Sequence, residues 1–145
     1  MFKHILVPSD GSEFSQSAVR RAVTFAREAG ARITAFYAKP LPAPARYVDG
    51  IEIGRQWNQD DLAEEQAQEV LDFVEKLCQE AGVQCSKLCV SSNLIYEAII
   101  EAARDCDCDL IFMASHGRRG LSALILGSET HKVLTHSKIP VLVYR

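Results

Sequence analysis

The chain has 145 residues, 48% of them apolar and 24% charged, with a formal net charge of −3; that length buries a sizeable core and predicts one domain over residues 1–145. The acidic balance excludes broad binding to nucleic acid or an anionic membrane surface, and no apolar run approaches the roughly 20 residues that a membrane span needs. The first eight residues lack the apolar length and cleavage site of a secretion signal, which predicts a cytoplasmic protein.

Residues 2–8 read as a buried strand centred on Ile5, Leu6 and Val7. Ser9-Asp10-Gly11-Ser12 is a turn, and Ser12 is a good N-cap. Ala18, Val19, Ala22, Val23, Phe25 and Ala26 recur at helical spacing, and Gly30 stops that helix. Residues 33–38 form a second strand. Pro40, Pro42 and Pro44 then mark a loop, expected to run irregularly past Tyr47, Ile51, Ile53 and Trp57. Asp60 or Asp61 caps a long helix ending at Gly82, with an apolar stripe of Leu62, Ala63, Ala67, Val70, Leu71, Val74, Leu77 and Cys78. Residues 84–90 alternate as a third strand. Ser91-Ser92-Asn93 caps a helix carrying Ala98, Ile99, Ala102 and Ala103. Residues 109–115 are apolar enough for a central strand, 128–137 form a last helix and 140–145 a last strand.

Strands alternating with helices predict a doubly wound α/β fold. The expected form is a five-stranded parallel sheet, Rossmann-like, with helices on both faces and strand order 3-2-1-4-5. Five cysteines, at 78, 85, 89, 106 and 108, are an odd set without C-x-x-C spacing. They read first as reduced, mostly buried small side chains, and only second as a metal or redox group.

In such sheets ligands bind beyond the carboxyl ends of the strands, where the strand order reverses. That places Asp10 and the loop at Gly117 on two sides of one crevice. Asp10 serves either a ribose hydroxyl or Mg²⁺, or its own turn. Glycines admit an anion close to backbone N–H groups, and a helix starting at Gly127-Ser128 offers unpaired donors. Arg118 and Arg119 suit phosphate charge, although at least one reads as solvated loop. His116 has the chemistry of a base but reads as a loop histidine without a nucleophile or orienting carboxylate. His131 and His136 read as surface residues. The glycines fit neither G-x-x-x-x-G-K-[ST] nor G-x-G-x-x-G.

Residues 5–12 (ILVPSDGS), 113–128 and 139–143 (IPVLV) together resemble the universal stress protein family along the whole chain. The family signature runs Gly, two residues, Gly, nine residues, then Gly followed by Ser or Thr. Gly117, nine residues and Gly127-Ser128 match it, with Ala114 in place of the first glycine. An alanine fits there if the backbone is strand-like and not at positive φ. Asn93 and Ile95 stand where the family often has Gly and Pro.

The resemblance is to the ATP-binding members. It implies that Pro8, Ser9 and Asp10 line the adenosine side and that Ala38 meets adenine through its backbone. Met113 and Ala114 would contact adenine or ribose. Gly117, Gly127, Ser128 and Glu129 would approach the phosphates, and a Mg²⁺ could accompany ATP. It also implies a homodimer through the last strand, around Val141 and Val143. The function implied is a nucleotide-dependent stress-response switch or adaptor with little intrinsic catalysis. A slow ATPase and a dimeric module without nucleotide are the alternatives. A phospho-acceptor receiver domain is excluded, since Asp10 lacks an acidic partner and Val90-Ser91-Ser92 ends the third strand.

Overall fold

A computed structural model describes the chain apart from residues 43, 54–56 and 118–124 and the side chains of 57–59. In chain order the elements are β1 (His4–Pro8), α1 (Glu13–Ala29), β2 (Arg32–Lys39), β3 (Arg46–Val48), β4 (Ile51–Ile53), α2 (Trp57–Ala81), β5 (Cys85–Ser91), α3 (Ile95–Asp105), β6 (Leu110–Ala114), α4 (Ser128–His136) and β7 (Val141–Tyr144). Five parallel strands form one sheet in the order β5-β2-β1-β6-β7. Counting only these strands, the order is the expected 3-2-1-4-5.

The period-two alternation of each strand decides what its side chains meet. Ile5, Val7, Ile33, Ala35, Leu110 and Phe112 enter one core cluster with Ala22 of α1 and Val74 of α2. Leu6, Phe36, Ile111 and Met113 enter the other, with Ile99 of α3 and Val133 of α4. Helices therefore cover both faces, which is why the central strands read as continuous apolar runs.

α1 begins as its sequence predicts: Ser12 is the N-cap and its side chain accepts from Ser15 N. Gly30, at φ +67°, closes it in the left-handed conformation, and Ala31 N returns to Ala26 O at 2.8 Å.

Three expectations need correction. The stretch after the proline loop is not irregular: β3 and β4 pair as an antiparallel hairpin. Asp49 and Gly50 form its turn, both with positive φ (53° and 78°), as a two-residue hairpin demands. α2 starts at Trp57 rather than after a cap at Asp60 or Asp61, and Leu62, counted in its stripe, is exposed. α3 is not capped by 91–93. Ser92 Oγ instead accepts from Leu94 N at 3.0 Å, and Asn93 Oδ1 reaches across to Leu41 N at 3.0 Å, so neither serves the helix end.

All five cysteines are free. Cys78 and Cys108 are buried, and Cys85, Cys89 and Cys106 are half-buried. No described helix is long and apolar enough to cross a membrane.

Candidate functional site

β1 lies between β2 and β6, so the chain leaves it in opposite directions along the sheet. The crevice outside its carboxyl end is the switch point. Pro8, Ser9 and Asp10 come from β1 and its turn, Ala38 from the end of β2, and Met113 and Ala114 from the end of β6. Gly127, Ser128 and Glu129 open α4.

The turn after β1 is tightly held. Ser9 N donates to Phe36 O at 3.0 Å, and Ser9 Oγ accepts from Gly11 N at 3.2 Å. Gly11 takes φ +80°, where a side chain would be strained. Asp10 Oδ1 accepts from Ser12 N at 2.9 Å and from Ser15 Oγ at 2.7 Å. These bonds fix the carboxylate toward Gly117: a Cβ there would stand 2.5 Å from Asp10 Oδ2. Asp10 thus serves its turn through one oxygen and faces the glycine loop with the other.

The second glycine is equally constrained. Gly127 N donates to Ser115 O at 2.8 Å, and a Cβ at Gly127 would meet that oxygen at 2.9 Å and His116 Cα at 3.4 Å. α4 therefore starts against the backbone leaving β6. Its N-cap is Gly127, and a helix start carries the partial positive charge that attracts an anion.

Ala114 belongs to β6, pairs with Tyr144, and is not among the described residues with positive φ. Alanine fits it without strain. Its carbonyl accepts from Thr130 Oγ1 at 2.9 Å, a buried bond that ties α4 to β6. Met113 and Ala114 are buried, and the Met113 side chain belongs to a core cluster. Ala38 is half-buried beside Val90. Next to it, Lys39 Nζ pairs with Glu64 at 2.6 Å; the shared hydrogen bond raises the lysine pKa and lowers the carboxylate's.

Two residues make contacts that the sequence did not show. Glu129 Oε2 accepts from Tyr96 N at 3.0 Å, so its carboxylate caps α3. Its backbone stays in the first turn of α4, and its side chain reaches α3. His116 lies in the loop after β6, as expected, but it is 5% exposed and packs near the Phe14 ring. Ser115 Oγ does lie 2.8 Å from His116 Nδ1, but both residues are buried, and Nε2 has no hydrogen-bond partner. Among the described residues a serine and histidine thus meet without a third group that would orient them as a nucleophilic pair. Arg118 and Arg119 lie outside the described residues. His131 and His136 are exposed, as expected.

Sequence reasoning missed Ser15 and Thr130, which hold the site's frame, and named Asn93 without its partner Leu41. Asn93 and Ser92 strap the start of α3 to the end of β2, the latter through Ser92 N to Lys39 O at 2.8 Å. Spacing does not mark the long-range contacts, since Leu41 lies 52 residues from Asn93 and Ala114 lies 16 from Thr130, whereas Ser15, 5 residues from Asp10, is a local contact. A small cavity of about 110 Å³ adjoins the site between α1 and α2, lined by Ser9, Gly11, Gln16 and Phe73 among others. A larger cleft of about 360 Å³ opens at the opposite, amino ends of the strands, lined by Lys3, Arg27, Gly30, Arg32 and Gly82 among others.

A parallel, doubly wound sheet with glycines and a helix start at its switch point defines a Rossmann-like α/β protein. The model of the universal stress protein family matches residues 1–145, and the chain belongs to that family. A universal stress protein of Methanocaldococcus jannaschii is 32% identical over 146 residues, covering 100% of this chain and 83% of that protein. Among solved structures, the universal stress protein UspA of Lactobacillus plantarum superposes with a TM-score of 0.78 at 23% identity, over 99% of this chain and 98% of that one. A universal stress protein in complex with cAMP superposes with a TM-score of 0.74 at 22% identity, over 99% and 97%. Identities this low carry the fold alone.

Proposed function

We propose that the protein binds an adenine nucleotide, ATP with Mg²⁺, in the crevice between the ends of β1 and β6. In this reading a single domain acts as a nucleotide-dependent stress-response switch or adaptor. It works in the cytoplasm as a homodimer through β7 and hydrolyses ATP slowly at most. The observation that carries the reading is the close approach of the Asp10 carboxylate to Gly117 at the switch point. No side chain fits between Gly117 and Asp10, which brings the glycine loop against the end of β1 beside a helix start, a setting in which backbone N–H groups can meet a phosphate chain. The cAMP held by a structural neighbour supports an adenine ligand.

The residues present fit such a ligand. Pro8, Ser9 and Asp10 form the adenosine wall, and the backbone of Ala38 and the edges of Met113 and Ala114 form the other. N–H groups of Gly117, Gly127, Ser128 and Glu129 meet the phosphates. The nucleotide supplies the negative charge that those donors stabilise, and Mg²⁺ would neutralise part of it.

Calorimetry with ATP and Mg²⁺ tests the reading, followed by an assay for ADP. Saturable binding without turnover is expected. Steady ADP production would favour an enzyme, and no binding at millimolar ATP would leave a dimeric module without nucleotide. A Val143→Lys change on the exposed edge of β7 is expected to give a monomer in sedimentation; an unchanged dimer would remove β7 from the interface.

A further inference from the structure

The β3–β4 hairpin turns an apolar face to solvent. Its register pairs Val48 with Ile51, Arg46 with Ile53 and Tyr47 with Glu52. Strand alternation puts the first two pairs on one face and the third on the other. Val48, Ile51 and Ile53 are 55%, 69% and 49% exposed, so the apolar face is left uncovered. Glu52, on the opposite face, is the half-buried member of the two strands. Among the described residues, no other helix or strand packs on either strand to an extent comparable with its own partner. A two-stranded hairpin alone is marginal in water and gains stability from a layer packed on its apolar face.

Charge marks the two ends of that face with opposite signs. Arg46 is exposed at the open end of the hairpin, and Asp49, at φ 53°, is exposed in the turn at the other. Neither makes an ion pair among the described residues. A face with an apolar centre, a cation at one end and an anion at the other is complementary to itself turned end for end.

We propose that this face is an interface between two copies of the chain, stacked hairpin on hairpin about a two-fold axis. Val48, Ile51 and Ile53 of one copy cover the same residues of the other, as an isologous contact requires. The hairpins run antiparallel, so the open end of each lies over the turn of the other and Arg46 meets the partner's Asp49. The hairpin is a two-stranded sheet separate from the five-stranded one, so the contact does not use β7. It is also independent of nucleotide binding. Six paired residues are few beside the roughly 20–30 per side of a stable interface. The association is therefore weak and reversible, and it appears only as concentration rises.

Sedimentation of the whole chain carrying Val143→Lys, over a concentration series up to millimolar, reads this contact apart from β7. A reversible monomer–dimer equilibrium is expected at the upper end of the series. Val48→Thr with Ile51→Thr keeps β-branched residues, and with them the strand preference, while removing the apolar surface. Its dissociation constant is expected to rise at least about tenfold. Arg46→Glu sets two carboxylates against each other and should weaken association, more at low ionic strength than at high. Adding Asp49→Asn, a residue that tolerates positive φ, should recover part of that loss. The native chain is measured alongside, where the same changes should remove the same step. Circular dichroism should not change, because these residues lie outside both core clusters. A chain that stays monomeric to millimolar overturns the proposal and leaves the face to a different protein. Association that the double threonine change does not alter overturns it as well. Equal association with Arg46 and with Arg46→Glu overturns the antiparallel arrangement.

Discussion

A Cβ built on Gly117 would stand 2.5 Å from Asp10 Oδ2 and 3.6 Å from Asp10 Cγ. The carboxylate is not free to swing aside, since its other oxygen accepts from Ser12 N and Ser15 Oγ. Any side chain at 117 must therefore displace the loop or break the turn that starts α1. Gly117→Val is expected to weaken ATP binding by at least about tenfold, roughly 1.4 kcal/mol. The fold should persist, because residue 117 lies outside both core clusters. Calorimetry and a thermal melt read the two effects, and unchanged affinity would remove Gly117 from the site.

The other signature positions should respond differently from one another. At Gly127 the atoms a Cβ would meet are backbone, Ser115 O at 2.9 Å and His116 Cα at 3.4 Å. Backbone cannot rotate away as a flexible side chain can. Gly127→Ala is expected to cost about 1–3 kcal/mol of stability, read from denaturant midpoints. Ala114 is the opposite case, a strand residue without positive φ. Ala114→Gly is expected to leave nucleotide affinity within about threefold and to lose about 0.5–1 kcal/mol of stability through backbone entropy. A large gain in affinity would show that the missing first glycine matters.

What the sequence made legible follows from what local pattern encodes. Strand alternation and helix stripes predict the sheet and its two covered faces, because the alternating sides of β1, β2 and β6 really do enter separate clusters. The pairing of Asp10 with the Gly117 loop follows from strand order alone. The hairpin was legible in principle, since Asp49-Gly50 is a two-residue turn signal, but the prolines before it dominate the reading. The cap of α3 was not legible: its acceptor, Glu129, lies 33 residues away from Tyr96 on another helix. The burial of His116 likewise depends on Phe14 from α1.

His4 predicts a pH dependence of stability. Its ring is 9% exposed, and its Nε2 lies 2.7 Å from Thr34 Oγ1. Burial first, then the nearby Arg32 charge, hold its pKa below the ordinary 6.5, against smaller opposing effects of Asp109, the Cys106 backbone and Asp107. The unfolded chain then takes up the proton before the folded one does. Stability is therefore full above about pH 6.5 and falls as pH drops from there toward the folded pKa. Asp109, held below the ordinary 3.8 chiefly by N–H groups of His4 and Lys3 against its desolvation, acts only in a lower window. Urea unfolding at pH 7.5 and 5.5 should show the loss in the native chain and a smaller loss in His4→Gln. Equal losses in both would assign the effect elsewhere.

Glu129 gives the sharpest separation of structural and ligand effects, because its side chain and its backbone serve different helices. The carboxylate caps α3 through Tyr96 N at 3.0 Å and lies 3.6 Å from Lys132. Its N–H belongs to the first turn of α4, where the proposed phosphates would sit. Glu129→Ala removes the cap and should destabilise the fold by about 1 kcal/mol, a usual value for a lost N-terminal cap. It also removes a negative charge beside an anion site, so ATP affinity should rise, and more at low ionic strength than at high. Glu129→Gln, which keeps an acceptor oxygen, should recover much of the stability while retaining the gain in affinity. Amide exchange at Tyr96 should quicken in the alanine variant. A fall in affinity in both variants would mean that the carboxylate itself contacts the ligand or its metal, contrary to the orientation of this side chain toward α3.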